Sequence, residues 1–236
     1  MNNIETVILY SLFSGLPIFI GALISKFDFY RTSELKDEIL HSIIAFGGGI
    51  LISAVALVLI PHGTSNLSLL ILIPVFILGS VVFFIIDRKL EQKSGDIAQL
   101  MAMLMDFIPE ALALGAVFSQ DTQLGLLLAI FIGLQNLPEG FNSYKELLAN
   151  GYSASRSLAI LFPLSFTGVI ASSIGFIYFK DSPQTVSAVM VFAAGGILYL
   201  TFQDIAPKSK MNNHWSPALG ASLGFLVGII GQKIIT

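Results

Sequence analysis

The sequence predicts an all-α polytopic membrane protein with eight transmembrane helices, and three observations lead there. Hydrophobic residues fill 55% of the 236 positions and charged residues only 11%, where an ordinary soluble domain carries about 25% charged residues. Mean hydropathy is +0.83. Eight apolar segments, each close to the roughly 20 residues that cross a bilayer, follow one another with polar breaks between them. So few charges could not cover a water-facing surface, and disorder needs the opposite composition. A net charge of −3 gives no basic field for nucleic acid. The chain has no Cys, which excludes disulfides, thiolate nucleophiles and Cys-ligated metal sites. His41, His62 and His214 lie far apart in sequence, which argues against an all-His metal cluster.

The segments fall near 4–26, 39–61, 67–86, 97–119, 123–148, 155–179, 184–207 and 216–235. The first lacks a basic stretch ahead of it and a small-residue cleavage site, so it reads as a retained helix and not as a signal peptide. A charged break from Lys26 to Glu38 separates it from the second, which carries Phe46-Gly-Gly-Gly-Ile-Leu51 and reaches Pro61. The third closes on Asp87-Arg88, before a polar run that ends at Asp96. The fourth and fifth are divided by little more than Ser119-Gln-Asp-Thr-Gln123. The sixth has Ser165, Thr167, Ser172 and Ser173 but no acid between Leu158 and Phe179. The seventh carries Phe192-Ala-Ala-Gly-Gly-Ile-Leu198 and reaches Pro207, and the eighth follows Trp215. No loop can hold a soluble domain, so residues 1–236 form a single transmembrane transporter domain.

Loop charge sets the expected orientation. The loops after the odd-numbered helices hold ten of the twelve Lys and Arg residues, and the other side holds only Lys180 and Lys233. The positive-inside rule places the rich side in the cytoplasm, with both termini outside, in a multi-pass protein of the cell membrane. Helices 2 and 7 share Gly-Gly-Ile-Leu, followed by a Pro at nearly the same distance, yet they run in opposite directions. This is the mark of an inverted repeat, here helices 1–3 and 6–8 around helices 4 and 5.

The chemistry lies in helices 4 and 5. Helix 4 carries Asp106-Phe-Ile-Pro-Glu110 and helix 5 carries Gln135-Asn-Leu-Pro-Glu139. The i, i+4 spacing puts Asp106 and Glu110 on one face and Gln135 and Glu139 on another. A charge at the bilayer centre costs about 2.5–3.5 kcal/mol on insertion scales. No Lys or Arg lies at that depth, so a metal ion or protons must balance the three carboxylates. Pro109 and Pro138 each remove a backbone donor. The freed carbonyls are tolerated at membrane depth where they line a cavity, and they offer further oxygen to a cation.

These motifs resemble those of the ZIP family of divalent-metal transporters. Leu134-Gln-Asn-Leu-Pro-Glu-Gly140 matches the family's helix 5 pattern, and Asp106-Phe-Ile-Pro-Glu110 its helix 4 pattern, with Asp106 where a His is usual. The resemblance extends to the Gly-rich helix 2, to Asp87-Arg88 and to Gly-Gly-Ile-Leu of helix 7. It implies a metal site of Asp106, Glu110, Gln135 and Glu139. It also marks a second site in many members, but Phe107 and Asn136 stand at two of its positions and helix 6 offers no acid, so one metal is expected. The His-rich loop that many members carry between helices 3 and 4 is missing, because residues 87–96 contain no His.

The expected function is transport of a divalent cation (Zn, Mn, Fe or Cd) toward the cytoplasm by alternating access, with the metal as substrate and no cofactor. An all-oxygen donor set suits hard and borderline ions, and loss of the His weakens the pull toward zinc. Asn142 and Asp204 are candidates for the ion path, His62 reads as a loop residue, and the Met101, Met103 and Met105 run reads as packing. Membrane lipid surrounds the chain, and a homodimer stays open as an assembly. The rivals are a transport-inactive metal sensor or scaffold of the same descent and, further off, an intramembrane hydrolase, for which no Ser–His or zinc pattern exists.

Overall fold

A computed structural model of the chain describes residues 4–27, 33–92 and 98–235, with the side chains at 91, 92, 98–102, 106 and 235 outside the described set. The described residues form helices and connections, with no strand among them. The helices are α1 (Ile4–Lys26), α2 (Glu34–Gly63), α3 (Leu69–Gln92), α4 (Ala98–Gln120), α5 (Thr122–Ala149), α6 (Ala154–Phe179), α7 (Pro183–Ser209) and α8 (Ser216–Ile235). All eight are long and apolar enough to cross a membrane, as the segment pattern predicts.

Local chemistry fixes the ends. Ser33 caps α2 by accepting from the Lys36 amide, so the helix begins five residues before the expected position 39. The thin break before α5 narrows to Asp121, whose Oδ1 accepts from the Gln123 and Leu124 amides at 2.8 and 3.1 Å. Each bond satisfies a first-turn donor that has no partner within the helix. Ser153 and Ser182 cap α6 and α7 in the same manner.

Three of the helices are irregular. α6 is interrupted between Leu164 and Thr167, just after Pro163. α2 winds as a π-helix over Ala54–Leu59 and α7 over Thr201–Ile205. Both π segments end two residues before a proline, Pro61 and Pro207. A proline cannot donate to the carbonyl four residues back, which loosens the turn preceding it.

Packing sorts the helices into two groups. α1 packs closely on α5 and α4 on α6, and these four form one group; α2 packs on α8 and α3 on α7 to form the other. The α1–α5 seam is a backbone contact. Gly21 lies against the Leu137 carbonyl and Gly140 against the Ile18 carbonyl, and a Cβ at either position would overlap that oxygen. The two groups meet where α2 faces α5 and α4 faces α7. Glu110, Gln135 and Glu139 lie on this meeting line, beside Gly47 and Leu51 of α2 and Ile197 and Ile205 of α7.

Candidate metal centre

Pro109 and Pro138 both sit inside continuous helices. Each is followed by its glutamate, Glu110 on α4 and Glu139 on α5. Glu110 is 3% exposed and Gln135 1% exposed. The Gln135 amide Nε2 donates to Glu110 Oε2 at 2.7 Å, which ties α5 to α4. A charge-assisted bond of this kind contributes about 1.5–3 kcal/mol. Glu139 follows Gln135 by one turn of α5, on the same face.

Two oxygens of this cluster are buried with no hydrogen-bond partner, Gln135 Oε1 and Glu139 Oε2. Buried polar atoms are ordinarily paired. Two unpaired acceptors beside a buried carboxylate, with no Lys or Arg lining the adjoining voids at that depth, form a donor set suited to a cation. Asp106 lies on α4 one turn before Glu110, but its side chain is outside the described residues. Among the described residues no three His, Asp or Glu side chains converge as a ligand group.

The surroundings differ sharply on the two sides. Beyond Glu110 lies a void of about 10 Å³ walled by Leu51, Leu59, Leu128, Phe131, Ile132 and Ile197, too small and too apolar to lead water in. Around Gln135 and Glu139 a void of about 40 Å³ is bounded by Gly47 and Gly48 of α2. Glu139 and Asn142 continue from it into a cavity of about 360 Å³ lined by His41, Glu146, Asp204 and Lys208. At its mouth Lys208 Nζ meets Asp204 Oδ1 at 2.9 Å, and the two side chains are 43% and 35% exposed.

The structure places the other residues singled out in the sequence as follows. Asn142 and Asp204 line the large cavity. His62, expected in a loop, lies instead in the last turn of α2, where its Nδ1 contacts the Val58 carbonyl one turn back. Met103 and Met105 are buried in packing, and Met101 lies outside the described side chains. Glu146 and Lys208 had no role in the sequence argument. Glu146 was within reach of it: Asn142, Ser143 and Glu146 follow Glu139 by three, four and seven residues, which is one face of a helix.

The sequence profile of the family described as ZIP Zinc transporter matches residues 86–235 of this chain, which is more than half of it. The chain belongs to the ZIP zinc transporter family. It is 29% identical over 133 residues to the protein named Zinc transporter GufA of Myxococcus xanthus, covering 56% of this chain and 52% of that one. It is 21% identical over 153 residues to the protein named Zinc transporter zipt-7.2 of Caenorhabditis elegans, covering 61% of this chain and 33% of the relative. The chain thus spans about half or less of the length of these relatives.

In this ZIP chain the two residues at the resemblance's second-site positions face away from the cluster just described. Phe107 is fully buried, with its ring against Gly15 of α1 and Gly168 of α6. Asn136 donates from Nδ2 to the Ser14 carbonyl at 2.8 Å, which fastens α5 to α1. Ser11 and Ser172 are hydrogen-bonded to each other nearby.

Proposed function

We propose that this ZIP protein carries a divalent cation across the membrane through a single site made by Asp106, Glu110, Gln135 and Glu139. The observation that carries the reading is the pair of buried, unpartnered oxygens on Gln135 and Glu139 next to Glu110. The names of the two relatives favour zinc as one cargo, and the all-oxygen donor set leaves Mn, Fe and Cd open as others. Three carboxylates and a divalent ion leave one negative charge, which a shared proton offsets.

The unequal voids support alternating access. The side of Glu110 is closed by apolar side chains, while Glu139 adjoins the cavity that ends at Asp204 and Lys208. That cavity lies at the end of the bundle where the loops are rich in Lys and Arg. The positive-inside orientation makes this the cytoplasmic end, with both termini outside. The state described is then open inward and sealed outward. The group of α1, α4, α5 and α6 carries all four proposed ligands, and its seam with the other group is where relative movement would shift access from one side to the other.

Two further features support the inverted repeat of helices 1–3 and 6–8. α2 and α7 both place a π segment between their glycines and a proline. The close pairs α1–α5 and α2–α8 correspond to α6–α4 and α7–α3 when the two triplets are exchanged.

Uptake of Zn(II) and Mn(II) by proteoliposomes containing the purified chain tests the reading. Time-dependent uptake that is lost in Glu139→Ala is expected. Binding without uptake would favour a metal sensor, and neither binding nor uptake would overturn the reading.

A further inference from the structure

Gly47, Gly48 and Gly49 of α2 are consecutive, yet packing accounts for only the last two. A Cβ at Gly49 would overlap the Ala221 carbonyl of α8, and a Cβ at Gly48 would come within 2.9 Å of Ile205 Cγ2 on α7. A Cβ at Gly47 would meet nothing closer than Pro138 Cγ at 3.6 Å and the Gln135 Cα and Cβ at 3.9 Å, which are ordinary contacts. Glycine inside a helix is destabilising relative to alanine, so at Gly47 the helix leaves open a space that its neighbours do not demand. Gly47 borders the void of about 40 Å³ beside the metal centre. On the α2 side that void is walled by glycine, Ile44 and Leu51, none of which has a side-chain donor atom. Gln135 and Glu139 of α5 line it too, and Gln135 Oε1 and Glu139 Oε2 are the two buried oxygens without a hydrogen-bond partner. Gln135 is only 1% exposed.

We infer that Gly47 is a specificity-determining residue: its missing side chain keeps room for water on the α2 side of the bound cation. The inference rests on the proposed reading of Glu110, Gln135 and Glu139 as ligands. One buried water needs about 10–15 Å³ of such space and two to four polar partners, so the void holds roughly two. Each places its oxygen on the ion, and Asn142, which also lines the void, offers an amide oxygen to accept a hydrogen. α2 supplies no ligand of its own there, so water alone completes the shell on that side. The number of ligands decides between metals. The four proposed protein ligands match the tetrahedral shell that zinc takes readily, whereas Mn(II) favours six oxygens in an octahedron. Two waters in the void bring four ligands to six. Gly47 therefore keeps the site open to octahedral ions, and a methyl group in its place would leave the smaller shell that suits zinc.

The test compares the purified full-length protein with its Gly47→Ala variant. Electron paramagnetic resonance of bound Mn(II), in water labelled with a magnetic oxygen isotope, counts the waters on the metal. Wild type is expected to show metal-bound water, and Gly47→Ala fewer. Competition between Zn(II) and Mn(II) should move about tenfold toward Zn(II) in the variant, the low end of what groups around the direct ligands contribute to metal affinity. The thermal unfolding midpoint of the variant should be unchanged or higher, since alanine fits and favours the helix. A lower midpoint would show that packing requires the glycine, and it overturns the inference. Glu139→Ala checks the site separately. If wild type binds neither ion, or Glu139→Ala binds them undiminished, the reading of the site fails and the inference with it. If binding depends on Glu139 but the bound Mn(II) carries no water, the inference alone is overturned. The same holds if the water count or the Zn-to-Mn ratio is equal in wild type and Gly47→Ala.

Discussion

Gln135 donates its amide to Glu110 while its own carbonyl oxygen, Oε1, has no partner. The bond fixes which way the amide points. With Nε2 held by the carboxylate, Oε1 is left as a buried acceptor with no hydrogen-bond partner. In the proposed site, a neutral amide presents an oxygen to the metal without adding charge to a cluster that already holds two glutamates.

Removing either glutamate strips an anionic ligand from this cluster. Glu139→Ala and Glu110→Ala are each expected to weaken divalent-metal binding by about ten- to a hundredfold, the scale on which a charged, buried partner contributes. Isothermal titration of the purified variants reads this directly. Undiminished affinity in both would remove the cluster from consideration.

A single metal is expected between α4 and α5, because Phe107 fills the neighbouring space and Asn136 is committed to Ser14. Anomalous diffraction from crystals soaked in Cd(II) should show one strong peak there. Two peaks separated by about 4 Å, the spacing of two-metal sites, would contradict it.

Asp106 supplies an anionic oxygen where the family pattern has an imidazole. Asp106→His should therefore raise the preference for Zn and Cd over Mn, since imidazole favours the later metals. Competitive binding of Zn against Mn in wild type and variant makes the comparison. An unchanged ratio would mean that Asp106 is not a ligand.

The α1–α5 seam depends on two positions without side chains. Gly140→Val forces branched carbons into the Ile18 carbonyl, and overpacking of this kind costs about 1–3 kcal/mol. A lower midpoint in thermal unfolding of the detergent-solubilised protein is expected. An unaltered midpoint would show that the helices have room to separate.

The eight spans were legible because the signal is local: twenty apolar residues and a polar break define a span without reference to anything else in the chain. The first helix falls at 4–26 both in the sequence and in the structure. The Gln135 and Glu139 face was legible for the same reason, through i, i+4 spacing. The interruption of α6 was not, because Pro163 is one proline among several that helices accommodate, including Pro17 and Pro74. The large cavity beyond Glu139 was not either. His41, Glu146 and Lys208 come from three helices, and only tertiary packing brings them to one wall. The meeting of Gln135 with Glu110 likewise needed the two helices placed side by side.

Asp204 lies inside the π segment of α7, where the Ala206 amide reaches back to the Thr201 carbonyl. Such a segment holds one residue beyond the α-helical count, so everything after it is turned by about 100° relative to an unbroken helix. The carboxylate at the cavity mouth therefore owes its bearing to a surplus residue in the winding, much as a clock hand owes its position to one extra tooth on a wheel. Excising Gln203 should let α7 rewind as a regular helix, with its far end swung away from Glu139. Helix content would be preserved, and release of metal from loaded proteoliposomes would slow.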